Sequence, residues 1–176
     1  MTMFARFTPH SKRLVVRGGT LAGESGRQLL DTDFLLLAVA ESGVVDGVSA
    51  AAVRARIGGP TDHELLATLG IDLDVVRSRV GDLTDDLTRW DLKRSPTRPL
   101  RVTLTGPAGD LRLTGQARKV IEVAQCWARH RDAQVSAHDL MAGLLADDHN
   151  ESVRILRHLG TDLRALWRRG LPGAAA

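Results

Sequence analysis

Tyrosine is absent, and three Phe and three Trp make up the entire aromatic content. A β-sandwich core draws heavily on aromatic and β-branched residues, so this scarcity favours packed helices filled by Leu, Val, Ile and Ala. The single cysteine, Cys126, excludes an intrachain disulfide and fits a reducing compartment. Its neighbours Val123 and Trp127 predict a small core residue rather than a nucleophile. No apolar run reaches the roughly 18 residues that a membrane span needs. The first 13 positions carry polar residues throughout, unlike a secretory leader. A cytoplasmic protein with no membrane association is expected.

Charge of one sign is also lacking. The 24 basic residues, of which only Lys12, Lys93 and Lys119 are lysine, stand against 21 acids for a net charge of +3. Catalytic signatures are missing too. There is no G-x-x-x-x-G-K-[ST] phosphate loop and no G-x-S-x-G elbow. His138, His149 and His158 lack the i,i+4 spacing of a helical metal pair. The expectation is a protein that is not an enzyme and holds neither cofactor nor metal.

What the chain does have is helical punctuation. Thr8-Pro9 starts a helix that runs to about Ala22, where Gly23 and Gly26 break it. A nearly continuous apolar helix begins at Thr32, with Asp33 in its first turn complementing the helix dipole. SAAAVRARI forms a short helix stopped by Gly58-Gly59-Pro60. Further helices follow at DHELLATLG and from Asp72, the latter with Leu73, Val75, Val76 and Val80 on one face. Residues 82–112 differ in character. LRVTLT, GPAG and DLRLT alternate at period 2 around a turn and predict a short β-hairpin within a linker.

From Leu113 the opening pattern returns. LTGQARKVIEVA parallels FTPHSKRLVVRG, so Thr114 answers Thr8 and Arg118 answers Lys12. VSAHDLMAGLLAD parallels LDTDFLLLAVAES, and Leu159-Gly160-Thr161-Asp162-Leu163 parallels Leu69-Gly70-Ile71-Asp72-Leu73. Three ordered matches with shared caps and stops define an internal repeat. The expected architecture is one all-α unit over 1–176, a pseudo-twofold bundle of two four-helix repeats. The first repeat spans 3–81 with an insertion near 43–62, the linker 82–110, and the second repeat 111–170.

The repeat units resemble the double Clp repeat, the N-terminal domain of Clp-type AAA+ unfoldases, and are most similar to the ClpC branch. Met3-Phe4-Ala5-Arg6-Phe7-Thr8 matches the family's opening stretch. Leu30-Asp31-Thr32-Asp33-Phe34-Leu35-Leu36-Leu37-Ala38-Val39 and Val135-Ser136-Ala137-His138-Asp139-Leu140-Met141-Ala142-Gly143-Leu144 match its repeated helix start. The likeness covers 3–80 and 111–167. It implies a Clp N-terminal domain standing alone, without the ATPase modules. The implied role is binding, as an adaptor, a substrate-capture protein or a decoy, with a Clp ATPase, its adaptors or its substrates as partners.

In some family members that role includes phosphorylated arginine. The resemblance then implicates Thr8, Thr32 and Thr114 at helix starts for the phosphate, and Asp33 facing the guanidinium. His138 stands where the second repeat would carry its acid, and an imidazole does not pair with a guanidinium. The same threonines are also what plain caps require, and both readings stay open here. The family's second surface, for peptides, carries over to Phe4, Leu113 and Arg118, although Phe4 and Phe7 would equally serve to pin the N-terminus to the core.

A separate feature is the stretch from Arg89 to Arg101, which holds Lys93, Arg94 and Arg98 around Trp90. It supports a second reading, a nucleic-acid-associated regulator. The plainer reading is a solvated linker whose arginines pair with Asp82, Asp85 and Asp86. One short patch without a groove-reading helix favours the plainer one.

Overall fold

The fold is that of a computed structural model, in which residues 2–58, 86–107 and 109–170 are described, without the side chains of 169 and 170. The helices expected over 63–70 and beyond Asp72 lie outside the described residues, as do Asp82 and Asp85. Seven α-helices are described: α1 Pro9–Glu24, α2 Thr32–Glu41, α3 Ala50–Ile57, α4 Gly115–His130, α5 Ala137–Leu145, α6 Glu151–His158 and α7 Leu163–Gly170. Four strands accompany them: β1 Leu29–Leu30, β2 Asp91–Arg94, β3 Val102–Gly106 and β4 Gly109–Leu113.

Local chemistry sets the helix starts. The Thr8 hydroxyl accepts the Ser11 N–H at 3.1 Å and Pro9 fills the first helical position. Thr114 repeats the device on Ala117 at 3.1 Å. Helix α1 runs two residues beyond Ala22, and the chain turns away at Gly26, whose φ of +69° is a left-handed value that glycine takes without strain. Helix α2 is buried along its entire length from Thr32 to Ala40, as its unbroken apolar run predicts.

The two repeats interlock. Phe7, just before α1, bridges in parallel to Val135, just before α5. Leu30, just before α2, pairs in parallel with Leu113, just before α4. Each repeat thus supplies a short extended segment to the other, and α1, α2, α4 and α5 close around a single core that includes Val15, Leu36, Ile121 and Leu144.

The all-α expectation needs correcting. The hairpin appears where the alternation placed it, with Leu104 opposite Leu111 and Gly106 opposite Gly109. It is however the centre of a four-stranded sheet in the order β1-β4-β3-β2. The 82–110 stretch is also more than a solvated linker. Trp90, Leu92, Val102 and Leu104 are buried. The sheet lies so close on α1 that a Cβ added at Gly19 would sit 2.3 Å from the Leu104 side chain. Strand β2 escapes sequence reading because Asp-Leu-Lys-Arg offers one inward apolar residue, and β1 because two residues carry no periodicity.

Candidate functional site at the crossovers of the repeats

Two crossovers, related by the repeat, gather most of the residues singled out in the sequence. At the first, the Thr8 N–H donates to the Val135 carbonyl at 3.0 Å and the Val135 N–H to the Arg6 carbonyl at 2.7 Å. Ser11, fully buried, donates to the same Val135 carbonyl at 2.5 Å. Ser136 then caps α5 in a reciprocal capping box with Asp139.

Asp139 is the acid of this half, one residue beyond the position at which the repeat alignment placed His138. Its carboxylate, 1% exposed, accepts the Ser136 N–H at 2.8 Å and the Ser136 hydroxyl at 2.7 Å. The Arg131 Nη2 donates to both of its oxygens at 2.8 Å. The Asp139 carboxylate is therefore already paired with a guanidinium of the chain itself. His138 is exposed and bonds to none of these groups among the described residues.

At the second crossover the Thr114 N–H donates to the Leu30 carbonyl at 2.9 Å. The Thr114 hydroxyl donates to Asp31 Oδ1 at 2.8 Å while accepting the Ala117 N–H. Asp31, half-exposed, is the actual cap of α2 through the Thr32 N–H at 2.7 Å. Thr32 is the first residue inside the helix and is fully buried, and its hydroxyl accepts the Ser152 N–H at 3.3 Å. It ties α6 to α2, which a reading of Thr32 as a cap does not anticipate. Thr114 links two caps across the repeats. Thr114→Val is expected to cost about 1–2 kcal/mol, seen as a lowered Tm in thermal unfolding. An unchanged Tm would mean that the hydroxyl is redundant.

Asp33 sits beside these groups, 6% exposed, with Oδ1 accepting the Phe34 N–H at 2.7 Å. Burial pushes its pKa above the ordinary carboxylate value. The Phe34 N–H opposes that shift, as does the Arg27 charge, while the neighbouring Asp31 and Glu151 reinforce it. The Arg27 guanidinium lies 5.8 Å from the centre of the Phe34 ring. Because the folded pKa exceeds the unfolded one, the folded state binds more protons, and stability falls as pH rises through that interval. Asp33→Asn removes the charge, so the variant is expected to melt above the wild type at pH 7, with the gap closing on acidification. A gap that widens as pH falls would contradict this account.

The residues carried over to a peptide surface lie partly inside the molecule. Phe4 and Leu113 are buried. Phe4 packs edge-on against Phe7 at 5.3 Å, beneath the Lys12 ammonium at 5.0 Å. Arg118 is held by Glu122 at 3.0 Å, and Glu122 also takes Arg94 at 2.5 Å. Phe4 and Phe7 thus pack the N-terminal turn onto the core, while Leu113 pairs with Leu30. A cavity of about 270 Å³ between this turn and α4 is lined by Thr2, Met3, Ala5, Arg6, Gln125 and Arg129.

Within the Arg89–Arg101 stretch, Arg89, Arg98 and Arg101 are exposed. Trp90 is buried, Lys93 pairs with Asp91 at 3.4 Å, and Arg94 pairs with Glu122. Cys126 is exposed, not a core residue. Its Sγ lies 3.7 Å from Nδ1 of His130, one helical turn on, and this i,i+4 pair could have been read from the sequence. Among the described residues no three His, Cys, Asp or Glu side chains converge to hold a metal ion. No described helix is long and apolar enough to cross a membrane.

No protein-family model matches the chain, and no curated protein matches it. Solved structures do. The N-terminal domain of the caseinolytic-protease-associated chaperone ClpD from Arabidopsis thaliana is 19% identical, with a TM-score of 0.60 over 95% of this chain and 96% of that one. A protein described in structural work on a malarial protein secretion system is 16% identical, with a TM-score of 0.47 over 94% of each chain. At 19% identity the first likeness is one of fold, and it extends over both repeats and both crossovers: the chain has the fold of a Clp chaperone N-terminal domain.

Proposed function

We propose that the chain is a non-catalytic protein- or peptide-binding module of the Clp protease system, acting in the cytoplasm as an adaptor, a substrate-capture protein or a decoy for ligands of a Clp ATPase. The observation that carries this reading is the match in fold to the ClpD N-terminal domain across 95% of the chain. The residues add support of a different kind. Their ordered polar chemistry is spent on capping helices and fastening the repeats together, which yields a rigid scaffold with surfaces to offer. A pull-down with the purified protein tests the reading: it should retain a Clp ATPase, an adaptor or Clp substrates, and retention of none of them would end it.

Within this reading, phosphoarginine is the finer ligand, taken through the first repeat. The support is chemical: a guanidinium needs a carboxylate and a phosphate needs N–H groups at a helix start. Asp33 and Asp31 supply carboxylates beside the second crossover. Thr8 and Thr114 mark helix starts. The second repeat lacks this capacity, since Asp139 is already paired with Arg131. Calorimetry with free phosphoarginine should give heat that Asp33→Ala abolishes. No heat at millimolar ligand, or heat indifferent to that substitution, would remove phosphoarginine and leave the broader module intact.

A further inference from the structure

The last helix creates a groove that none of the crossover chemistry uses. Along α7, Leu166 turns into the core and is buried. Leu163 and Trp167, four residues apart, lie on the adjoining stripe and remain only partly covered. With Leu145 at the end of α5 and Val153 on α6 they form the apolar floor of a depression of about 530 Å³. That volume is within the ordinary range of binding clefts. Trp127 extends the apolar strip beyond the rim. It meets Trp167 edge-on at 6.3 Å and is itself 37% exposed.

The rim is cationic. Arg164 and Arg168 are exposed, line the depression, and make no ion pair among the described residues. The single acid in the lining, Asp148, is neutralised by Arg157 at 3.0 Å. An apolar floor one turn wide beside two exposed guanidinium groups, of which Arg168 donates only a long Nε–H bond of 3.4 Å to the Arg164 carbonyl, is the complement of a helix with an apolar stripe flanked by carboxylates. Such a helix would bury its anchors on Leu163 and Trp167 and place its acids within reach of Arg164 and Arg168, where charge-assisted bonds strengthen as water is excluded.

We infer that the groove bounded by α5, α6 and α7 docks an acidic amphipathic helix of a partner protein. The inference rests on the proposed binding role and names the surface and the partner chemistry that role would use. Trp127 and Trp167 make it measurable by intrinsic fluorescence, with buried Trp90 as a constant background.

The probe is a synthetic 16-residue helix with Leu and Phe at i, i+4 and i+7 flanked by Glu, beside a counterpart with every Glu replaced by Lys. The acidic peptide should shift the tryptophan emission and bind at least about tenfold more tightly than the lysine peptide, equivalent to about 1.4 kcal/mol. Its affinity should fall as salt is raised. The Arg164→Glu/Arg168→Glu variant changes two exposed side chains and should fold normally by circular dichroism while reversing the peptide preference. Equal affinity for the two peptides, no binding at millimolar concentration, or a preference unmoved in the double variant would each overturn the inference. So would self-association in sedimentation that involves Trp167 and resists the acidic peptide, which would assign the groove to a second copy. If the double variant still retains Clp partners in the pull-down while the peptide does not bind, the groove fails and the module stands. If the peptide binds and no Clp component is retained, the module fails and the groove stands.

Discussion

Gly143→Val is expected to destabilise the fold by about 3 kcal/mol or more, the larger of two helix-crossing effects that the glycines control. Gly143 sits in α5 where the helix crosses α4, and a Cβ there would stand 2.5 Å from the Val120 carbonyl oxygen and 3.0 Å from its Cγ1. The obstacle is backbone of a neighbouring helix, which cannot rotate aside as a side-chain tip can. The helices must separate, and the layer that includes Val120, Leu140 and Leu144, all buried, loses its close packing. Alanine gives the intermediate case, since its gain in helix propensity of about 1 kcal/mol offsets part of the clash.

In a chain of this size 3 kcal/mol lowers Tm by roughly 6–12 °C. Calorimetric melts of Gly143→Ala and Gly143→Val should therefore form a graded series. A valine variant that melts with the wild type would show that the crossing has slack. At the α1–α2 crossing of the first repeat the close glycine is on the other helix, and a Cβ at Gly18 would lie 3.2 Å from the Phe34 carbonyl oxygen and 3.2 Å from the Leu35 side chain. Gly18→Ala should accordingly cost less than Gly143→Ala.

The parts of this structure that could be read from the sequence are those set by a few adjacent residues. Thr8-Pro9 and Thr114-Gly115 announce helix starts because the capping hydroxyl and the N–H it serves are three residues apart. The β3–β4 hairpin is announced by alternation around a turn. The internal repeat made the partnership of the halves visible, but not its fastening. The pairs Phe7–Val135 and Leu30–Leu113 join residues more than 80 positions apart and consist of backbone hydrogen bonds, on which side-chain identity leaves little trace.

The site was legible to a lesser degree, and for a related reason. Aligning the repeats by helix start put Asp33 opposite His138, so the second acid looked lost. The hydrogen-bonding geometry gives the two helices different caps, Asp31 for α2 and Ser136 for α5. The second-repeat acid then lies three residues past its cap at Asp139, where the Ser-x-x-Asp spacing of a capping box already pointed. The Trp127–Trp167 strip and its arginine rim had no such local signature, because they arise where α4 and α7, far apart in the sequence, meet.

Asp139→Ala should be the second severe substitution, costing about 3 kcal/mol or more. The carboxylate is 1% exposed and answers four donor contacts from two residues: the Ser136 N–H and hydroxyl, and Arg131 Nη2 on both oxygens. Removing it deprives α5 of its capping box and strands a half-buried guanidinium whose Nη1 is buried without a partner among the described residues. The stranded charge, more than the lost attraction, makes the single substitution expensive, since desolvation is then uncompensated. Arg131→Met on the Asp139→Ala background should therefore recover part of the loss, and the double variant should be more stable than Asp139→Ala alone by chemical denaturation. Strict additivity of the two substitutions would show that the pair is not coupled. The same experiment bears on binding. With Arg131 gone and Asp139 retained, a buried carboxylate beside the Thr8–Val135 crossover is released from its internal guanidinium. If the second half-site is silent because it is self-occupied, Arg131→Met should gain affinity for a guanidinium ligand that the wild type lacks at that position, and no gain would mean that the crossover is closed to ligands by packing.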